Sequence, residues 1–255
     1  MANKHGDFVW YELLTSDPDA AQAFYGPILG WTFADSGMAD QDYRIISMGD
    51  IGVGGLMKVP EGAPMPPCWM GYIDVTDVDA SVAAIKKAGG SVYMEPQDIP
   101  NVGRLALMAD PQGAAFYIIA GASAEASQAF AADEPRRGHC AWNELLTTDQ
   151  AGAQAFYTEQ FGWTKDDEMD MGEMGKYDLM RHGHMIGGIM TKPAEMPVPA
   201  WIYYFRVAGI DAAIAAINAT GGQVLHGPQE IPGGEFVVNA LDPQGAVFAL
   251  VGPRS

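Results

Sequence analysis

Glu12 and Glu144 are the residues most able to do chemistry in this chain. Glu12 lies in Trp10-Tyr-Glu-Leu-Leu-Thr15, and Glu144 lies in Trp142-Asn-Glu-Leu-Leu-Thr147. In an extended strand residues i and i+2 share a face, so Glu12 sits with Trp10 and Leu14, and Glu144 with Trp142 and Leu146. A carboxylate on so apolar a face has a functional reading and a structural one. It can contact a ligand, or act as a general base once burial has raised its pKa. Alternatively it is a structural group, hydrogen-bonded to backbone or to a tyrosine hydroxyl. Trp10 and Trp142 read equally as core or as a ligand platform. Tyr72, Asp74 and Tyr117 early in the chain, and Tyr204 and Arg206 late in it, are the other ligand-binding candidates, with opposite charges at Asp74 and Arg206.

These residues are organised by a repeat. At an offset of 132, Asp17 pairs with Asp149, Ala21-Gln-Ala-Phe-Tyr25 with Ala153-Gln-Ala-Phe-Tyr157, and Gly30-Trp31 with Gly162-Trp163. Between 7–33 and 139–165, 14 of 27 positions are identical, which marks a duplication. Pro96-Gln-Asp-Ile-Pro100 returns as Pro228-Gln-Glu-Ile-Pro232, and Asp110-Pro-Gln-Gly113 as Asp242-Pro-Gln-Gly245. The segment from Gly121 to Arg137 matches nothing in either half and reads as a linker, part of it helical because Ala, Glu and Gln favour helix.

Each half divides again. Phe8–Thr15 reads as a strand, and Asp17-Pro18 opens a helix, with Asp as cap and Pro at the first helical position. Ala20, Ala21, Phe24, Tyr25 and Ile28 give that helix its buried face. Tyr43–Ser47 and Val53–Lys58 read as strands. In the next unit Met70–Val75 is a strand, residues 77–88 a helix stopped by Gly89-Gly90, and Ser91–Glu95, Leu105–Ala109 and Ala115–Ile119 are strands. Asp110-Pro-Gln-Gly113 has the residue order of a type I turn.

Composition narrows the function classes. Hydrophobic residues make up 48% of the 255, enough to bury a core and too many for disorder. No apolar run approaches the roughly 18–20 residues that span a bilayer, and the start lacks the apolar core of a secretory leader. Cys68 and Cys140 form no CxxC pair, so a reducing cytoplasm is the expected setting. The net charge of −18 is spread over both halves, which argues against nucleic acid. It favours solubility, and also a cationic small ligand.

The ordered set Trp10-x-Glu-Leu-x-Thr-x-Asp17, Phe24-Tyr25, Gly30-Trp31, Ala88-Gly-Gly90 and Asp110-Pro-Gln-Gly113, present twice, resembles the vicinal oxygen chelate superfamily of glyoxalases, extradiol dioxygenases and bleomycin resistance proteins. The resemblance implies an α+β fold: tandem glyoxalase-type domains, four βαβββ units in curved mixed sheets around cavities. It places a first domain at 1–122, a linker at 123–137 and a second domain at 138–255. Which units pair to close a cavity stays open.

The resemblance also implies where a divalent metal would bind. The first-strand ligand positions fall on Trp10, Met70, Trp142 and Ile202, and the last-strand positions on Tyr117 and Ala249. None of these suits a hard or borderline cation, so no cofactor is expected, with a divalent metal on other residues left open as the alternative. The expected function is small-molecule binding in a metal-free cavity. The alternative is a glyoxalase-type lyase or isomerase, or a dioxygenase-like enzyme, acting on a small carbonyl or aromatic substrate, either through displaced metal ligands or by acid–base chemistry on Glu12 or Glu144. A monomer or homodimer is expected, with no membrane partner. His182 and His184 flank a glycine at an expected turn, His5 sits in a terminus expected to be mobile, and Arg104 reads as exposed or as a polar wall residue.

Overall fold

The computed structural model describes residues 2–38, 41–63, 65–131 and 134–255. Four successive units of one strand, one helix and three strands follow along the chain. The first holds β1 (Phe8–Thr15), α1 (Pro18–Leu29), β2 (Thr32–Asp35), β3 (Tyr43–Met48) and β4 (Ile51–Lys58). The second holds β5 (Cys68–Asp74), α2 (Val78–Lys87), β6 (Ser91–Ile99), β7 (Gly103–Ala109) and β8 (Ala115–Gly121). The third holds β9 (Cys140–Thr147), α3 (Gln150–Phe161), β10 (Thr164–Asp170), β11 (Lys176–His182) and β12 (His184–Thr191), with a 3₁₀ turn at Gly172–Met174. The fourth holds β13 (Ala200–Arg206), α4 (Ile210–Ala219), β14 (Gln223–Glu230), β15 (Phe236–Leu241) and β16 (Val247–Gly252). The fold is α+β, two tandem glyoxalase-type domains of two eight-stranded mixed sheets and four helices. No described helix is long and apolar enough to cross a membrane.

The helix ends follow the sequence signals. Asp17, Asp77 and Asp149 each accept a backbone N–H of the first turn, from Ala20, Ala80 and Gly152, supplying acceptors for otherwise orphaned donors. Gly30 and Gly162 end α1 and α3 in the left-handed conformation, φ 79° and 71°, where a side chain would be strained. The linker corrects one expectation. Its described residues contain no helix, only an isolated bridge between Phe130 and Cys140. Ala132 and Asp133 of that segment lie outside the described residues.

The chain forms two compact units, and each draws on both halves of the duplication. One comprises Met1–Val9, Met70–Ser127 and Trp142–Trp201. In it β5 runs parallel to β8, and β9 parallel to β12. Its core gathers Phe8, Phe116, Tyr157, Phe161, Trp163 and Trp201. The Trp163 indole donates to the Gly6 carbonyl at 2.8 Å. The Trp201 indole donates to the Tyr157 hydroxyl, which donates in turn to Asp110, both at 3.1 Å.

The other unit comprises Trp10–Trp69, Gln128–Ala141 and Ile202–Ser255. Here β1 runs parallel to β4 and β13 parallel to β16. The same devices recur in its core. Trp31 donates to the Gly138 carbonyl at 2.7 Å, Trp69 donates to the Tyr25 hydroxyl at 3.1 Å, and Tyr25 donates to Asp242 at 3.0 Å. Trp31 and Trp163 are therefore core residues with satisfied indole donors.

Candidate functional site

Strand alternation turns Tyr11 and Leu13 into the core and leaves Trp10 and Glu12 on the opposite face. Tyr11 is fully buried, with its ring edge-on to Tyr203 at 5.2 Å. Glu12 is only 2% exposed and Glu144 only 9%, so both carboxylates are withdrawn from water. Burying a carboxylate is costly unless it is hydrogen-bonded.

In the second half the bonding is explicit. The Trp142 indole donates to the Tyr177 hydroxyl at 2.7 Å, and that hydroxyl donates to Glu144 Oε1 at 2.9 Å. The first half repeats the first leg, with Trp10 donating to the Tyr43 hydroxyl at 2.9 Å. Tyr177 reaches across the strand between it and Glu144, over a glycine, and Tyr43 lies over the corresponding glycine. Gly188 stands opposite Glu144 and Gly55 opposite Glu12. A Cβ on Gly188 would lie 2.0 Å from the Tyr177 ring, and one on Gly55 would meet the Tyr43 hydroxyl. The tight tyrosine–glycine packing at both sites is part of how each group is placed. Beside Glu12, burial pushes the Cys68 thiol up to about 12, and the Glu12 charge adds to it.

The other candidates are dispersed. Tyr72 and Tyr117 pair in register and stack on each other, ring centroids 4.3 Å apart at 16°. In the second half Tyr204 stands in register with Ala249, and its hydroxyl accepts from Asn239 at 3.4 Å. Asp74 is tied to the N-terminal segment: its amide donates to the Asp7 carbonyl and its carbonyl accepts from Gly6. Burial, with Asp7 beside it, pushes the Asp74 carboxyl up to about 6. Arg206 forms an ion pair with Glu235 and makes the matching backbone bonds with Gly138 and His139.

Arg104 is held on the surface by Asp79 and Asp98 at 2.8 and 3.0 Å, one-third exposed. His5 is tied down, 2.8 Å from the Gln160 carbonyl and accepting from the Thr76 amide. The expected mobility of that terminus does not extend to His5. His182 and His184 close the β11–β12 hairpin, and the His182 ring points to Asp7 at 3.4 Å.

The donor set does not fit a divalent metal. An indole N–H can only donate, and those of Trp10 and Trp142 are spent on tyrosine hydroxyls. Met70 offers a soft thioether, Ile202 and Ala249 nothing, and the Tyr117 ring is stacked on Tyr72. Among the described residues no group of three or more His, Cys, Asp and Glu side chains is placed to hold a metal ion.

Two cavities stand near these elements. One, bounded by Phe8, Trp163, Trp201 and Ile186, is too narrow for a water molecule. The second, about 130 Å³, lies between the end of α1 and the start of α4 and touches neither carboxylate.

Tyr43, Tyr177 and their glycines are the site residues that sequence reasoning missed. The residue 132 positions after Tyr43 is Gly175, because the second half has two extra residues before β11, so a fixed offset hides the pair. The doublets Gly54-Gly55 and Gly187-Gly188, with Tyr43 and Tyr177 on the strand before each, were the available signal.

Residues 10–119 match the family model described as Glyoxalase-like domain, and residues 136–250 match that described as Glyoxalase/Bleomycin resistance protein/Dioxygenase superfamily. A Mycobacterium tuberculosis protein named "Putative glyoxylase CFP32" is 36% identical over 251 residues, covering 96% of this chain and 94% of the relative. Anthracycline biosynthesis protein DauV of a Streptomyces species is 30% identical over 261 residues, covering 95% of this chain and 91% of the relative. Among solved structures, the Mn(II)-bound glyoxalase from Novosphingobium aromaticivorans superposes with a TM-score of 0.66 at 17% identity, covering 98% of this chain and 83% of that one. The 2,2',3-trihydroxybiphenyl 1,2-dioxygenase of Sphingomonas wittichii gives 0.65 at 15% identity, covering 97% and 90%. At these identities the solved structures show a shared fold.

Proposed function

The chain belongs to the glyoxalase/bleomycin resistance protein/dioxygenase superfamily, and from that premise we propose that it binds a small, partly aromatic, cationic molecule without a metal ion. One observation carries this reading: at the positions where the family resemblance puts metal ligands, Trp10 and Trp142 carry donor-only indoles hydrogen-bonded to tyrosines beside buried glutamates. Each unit is taken by itself: Glu144 is the anionic contact in one, with Trp142, Tyr72, Tyr117 and Asp74 as candidate ligand residues, and Glu12 in the other, with Trp10, Tyr204 and Arg206. The chain's charge of −18 draws cations toward such a site. A relative named for anthracycline biosynthesis supports an aromatic ligand, since anthracyclines are fused-ring aromatic compounds. The proposed setting is the cytoplasm, as a monomer or homodimer, with neither nucleic acid nor membrane as partner.

The test is tryptophan-fluorescence titration of the full-length protein with a panel of cationic aromatic compounds at neutral pH. The reading expects saturable binding that weakens at least tenfold in Glu12→Gln or Glu144→Gln. Binding unaffected in the Glu12→Gln, Glu144→Gln double variant overturns it.

The buried carboxylates also favour a second reading, acid–base chemistry on a small carbonyl or aromatic substrate by a lyase, isomerase or dioxygenase-like enzyme. A relative named as a glyoxylase supports it. There Glu→Gln abolishes turnover while affinity persists, and a fully active double variant excludes acid–base catalysis by these residues.

A further inference from the structure

We propose that Tyr177, oriented by Trp142, is a positioning residue that holds Glu144 as an anion for a cationic group of the ligand. This rests on the reading of Glu144 as the ligand contact, and it adds a directional device to it. An indole nitrogen can donate but cannot accept. The Tyr177 oxygen accepts from the Trp142 indole at 2.7 Å, and its hydroxyl donates to Glu144 Oε1 at 2.9 Å. A hydrogen bond received by a carboxylate favours its charged form, and so opposes the effect of burial.

The geometry is specific. Gly188 stands opposite Glu144 in the parallel pairing of β12 with β9, and its missing side chain is the space the Tyr177 ring occupies. In the first half Trp10 donates to the Tyr43 hydroxyl, which lies over Gly55, the residue opposite Glu12. The charged groups on the neighbouring strands are engaged elsewhere. Asp178, the next residue along β11, pairs with Lys165 at 2.6 Å, and Lys176 pairs with Glu168 at 2.6 Å. Arg181 pairs with Asp166 at 2.6 Å, and His182 approaches Asp7 at 3.4 Å. His184 is the remaining titratable group on β12.

The experiment is a carbon-13 NMR titration of the glutamate side-chain carboxyls in the full-length protein, with Glu144 assigned by its loss in Glu144→Gln. Tyr177→Phe keeps the ring and removes only the hydroxyl, and it is expected to raise the Glu144 titration midpoint by about one unit. Trp142→Phe removes the indole donor to the tyrosine hydroxyl and is expected to raise the midpoint by less. A midpoint unchanged in Tyr177→Phe overturns the proposal. If that variant fails to fold, an unchanged midpoint in Trp142→Phe does so instead. No ligand is needed, so failure here is distinct from failure of the binding reading, which the fluorescence titration decides.

Discussion

Tyr25 on α1 and Asp242 in the turn before β16 stand 217 positions apart, and the tyrosine hydroxyl donates to the carboxylate at 3.0 Å. The duplicated pair, Tyr157 and Asp110, makes the same bond at 3.1 Å. Each tyrosine comes from one half of the duplication and each aspartate from the other, so this bond ties the halves together within each compact unit. The aspartates hold their own turns as well, through bonds from the Gln112 and Ala114 amides and from the Gln244 and Ala246 amides.

Removing either hydroxyl leaves a buried carboxylate and an indole N–H short of a partner. Tyr25→Phe and Tyr157→Phe should each cost about 1–3 kcal/mol. Urea unfolding followed by fluorescence measures it, and losses below about 0.3 kcal/mol would show that the bonds do little.

Much of this was legible in the chain. The Phe-Tyr and Asp-Pro-Gln-Gly words, the Asp caps and the duplicated Trp-x-Glu strands all report local backbone requirements, and each appears where its residues dictate. Strand β2 was not, because Thr32–Asp35 is four residues long and mostly exposed, too short to show an alternation. The partners of the words were not legible either. Nothing local in Tyr25 points to Asp242, and the changed spacing before β11 hid Tyr177 from the offset that exposed Glu144. The helix expected in part of the linker is not found among its described residues, because helix propensity without a buried face is a weak guide.

The glycines opposite the glutamates predict a sharp contrast. Gly188→Ala puts a methyl group 2.0 Å from the Tyr177 ring and must displace it. A loss of about 1–3 kcal/mol is expected, together with a change in the fluorescence of Trp142. Gly121→Ala meets nothing within 4 Å and should stay within about 0.5 kcal/mol of the parent. Equal effects of the two substitutions would contradict the packing described.

Asp74 gives a pH dependence. Its folded value of about 6 lies above the ordinary carboxylate value, so the folded state binds its proton more tightly than the unfolded chain does. The stability this group contributes is complete below about pH 4 and is lost as pH rises through about 6. Melting temperatures taken at steps from pH 4 to 7 should fall more steeply for the parent than for Asp74→Asn. Identical slopes would show that the burial and the nearby Asp7 carboxylate do not act as described.

Cys68 reports on the Glu12 charge. Burial first, and then Glu12, hold the thiol up to about 12, so iodoacetamide at pH 8 should modify it slowly in the native protein. Glu12→Gln removes the second cause, and the rate followed by mass spectrometry should rise several-fold. An unchanged rate would mean that Glu12 carries no charge at that pH.

The most direct test of a metal-independent site is elemental analysis of the protein purified natively without chelator. The donor set at Trp10, Met70, Tyr117, Trp142, Ile202 and Ala249 predicts divalent metal near zero per chain, and no rise in melting temperature on adding Mn, Fe(II), Zn or Ni. About one or two tightly held ions per chain would contradict it, and would place the ligands on residues other than these.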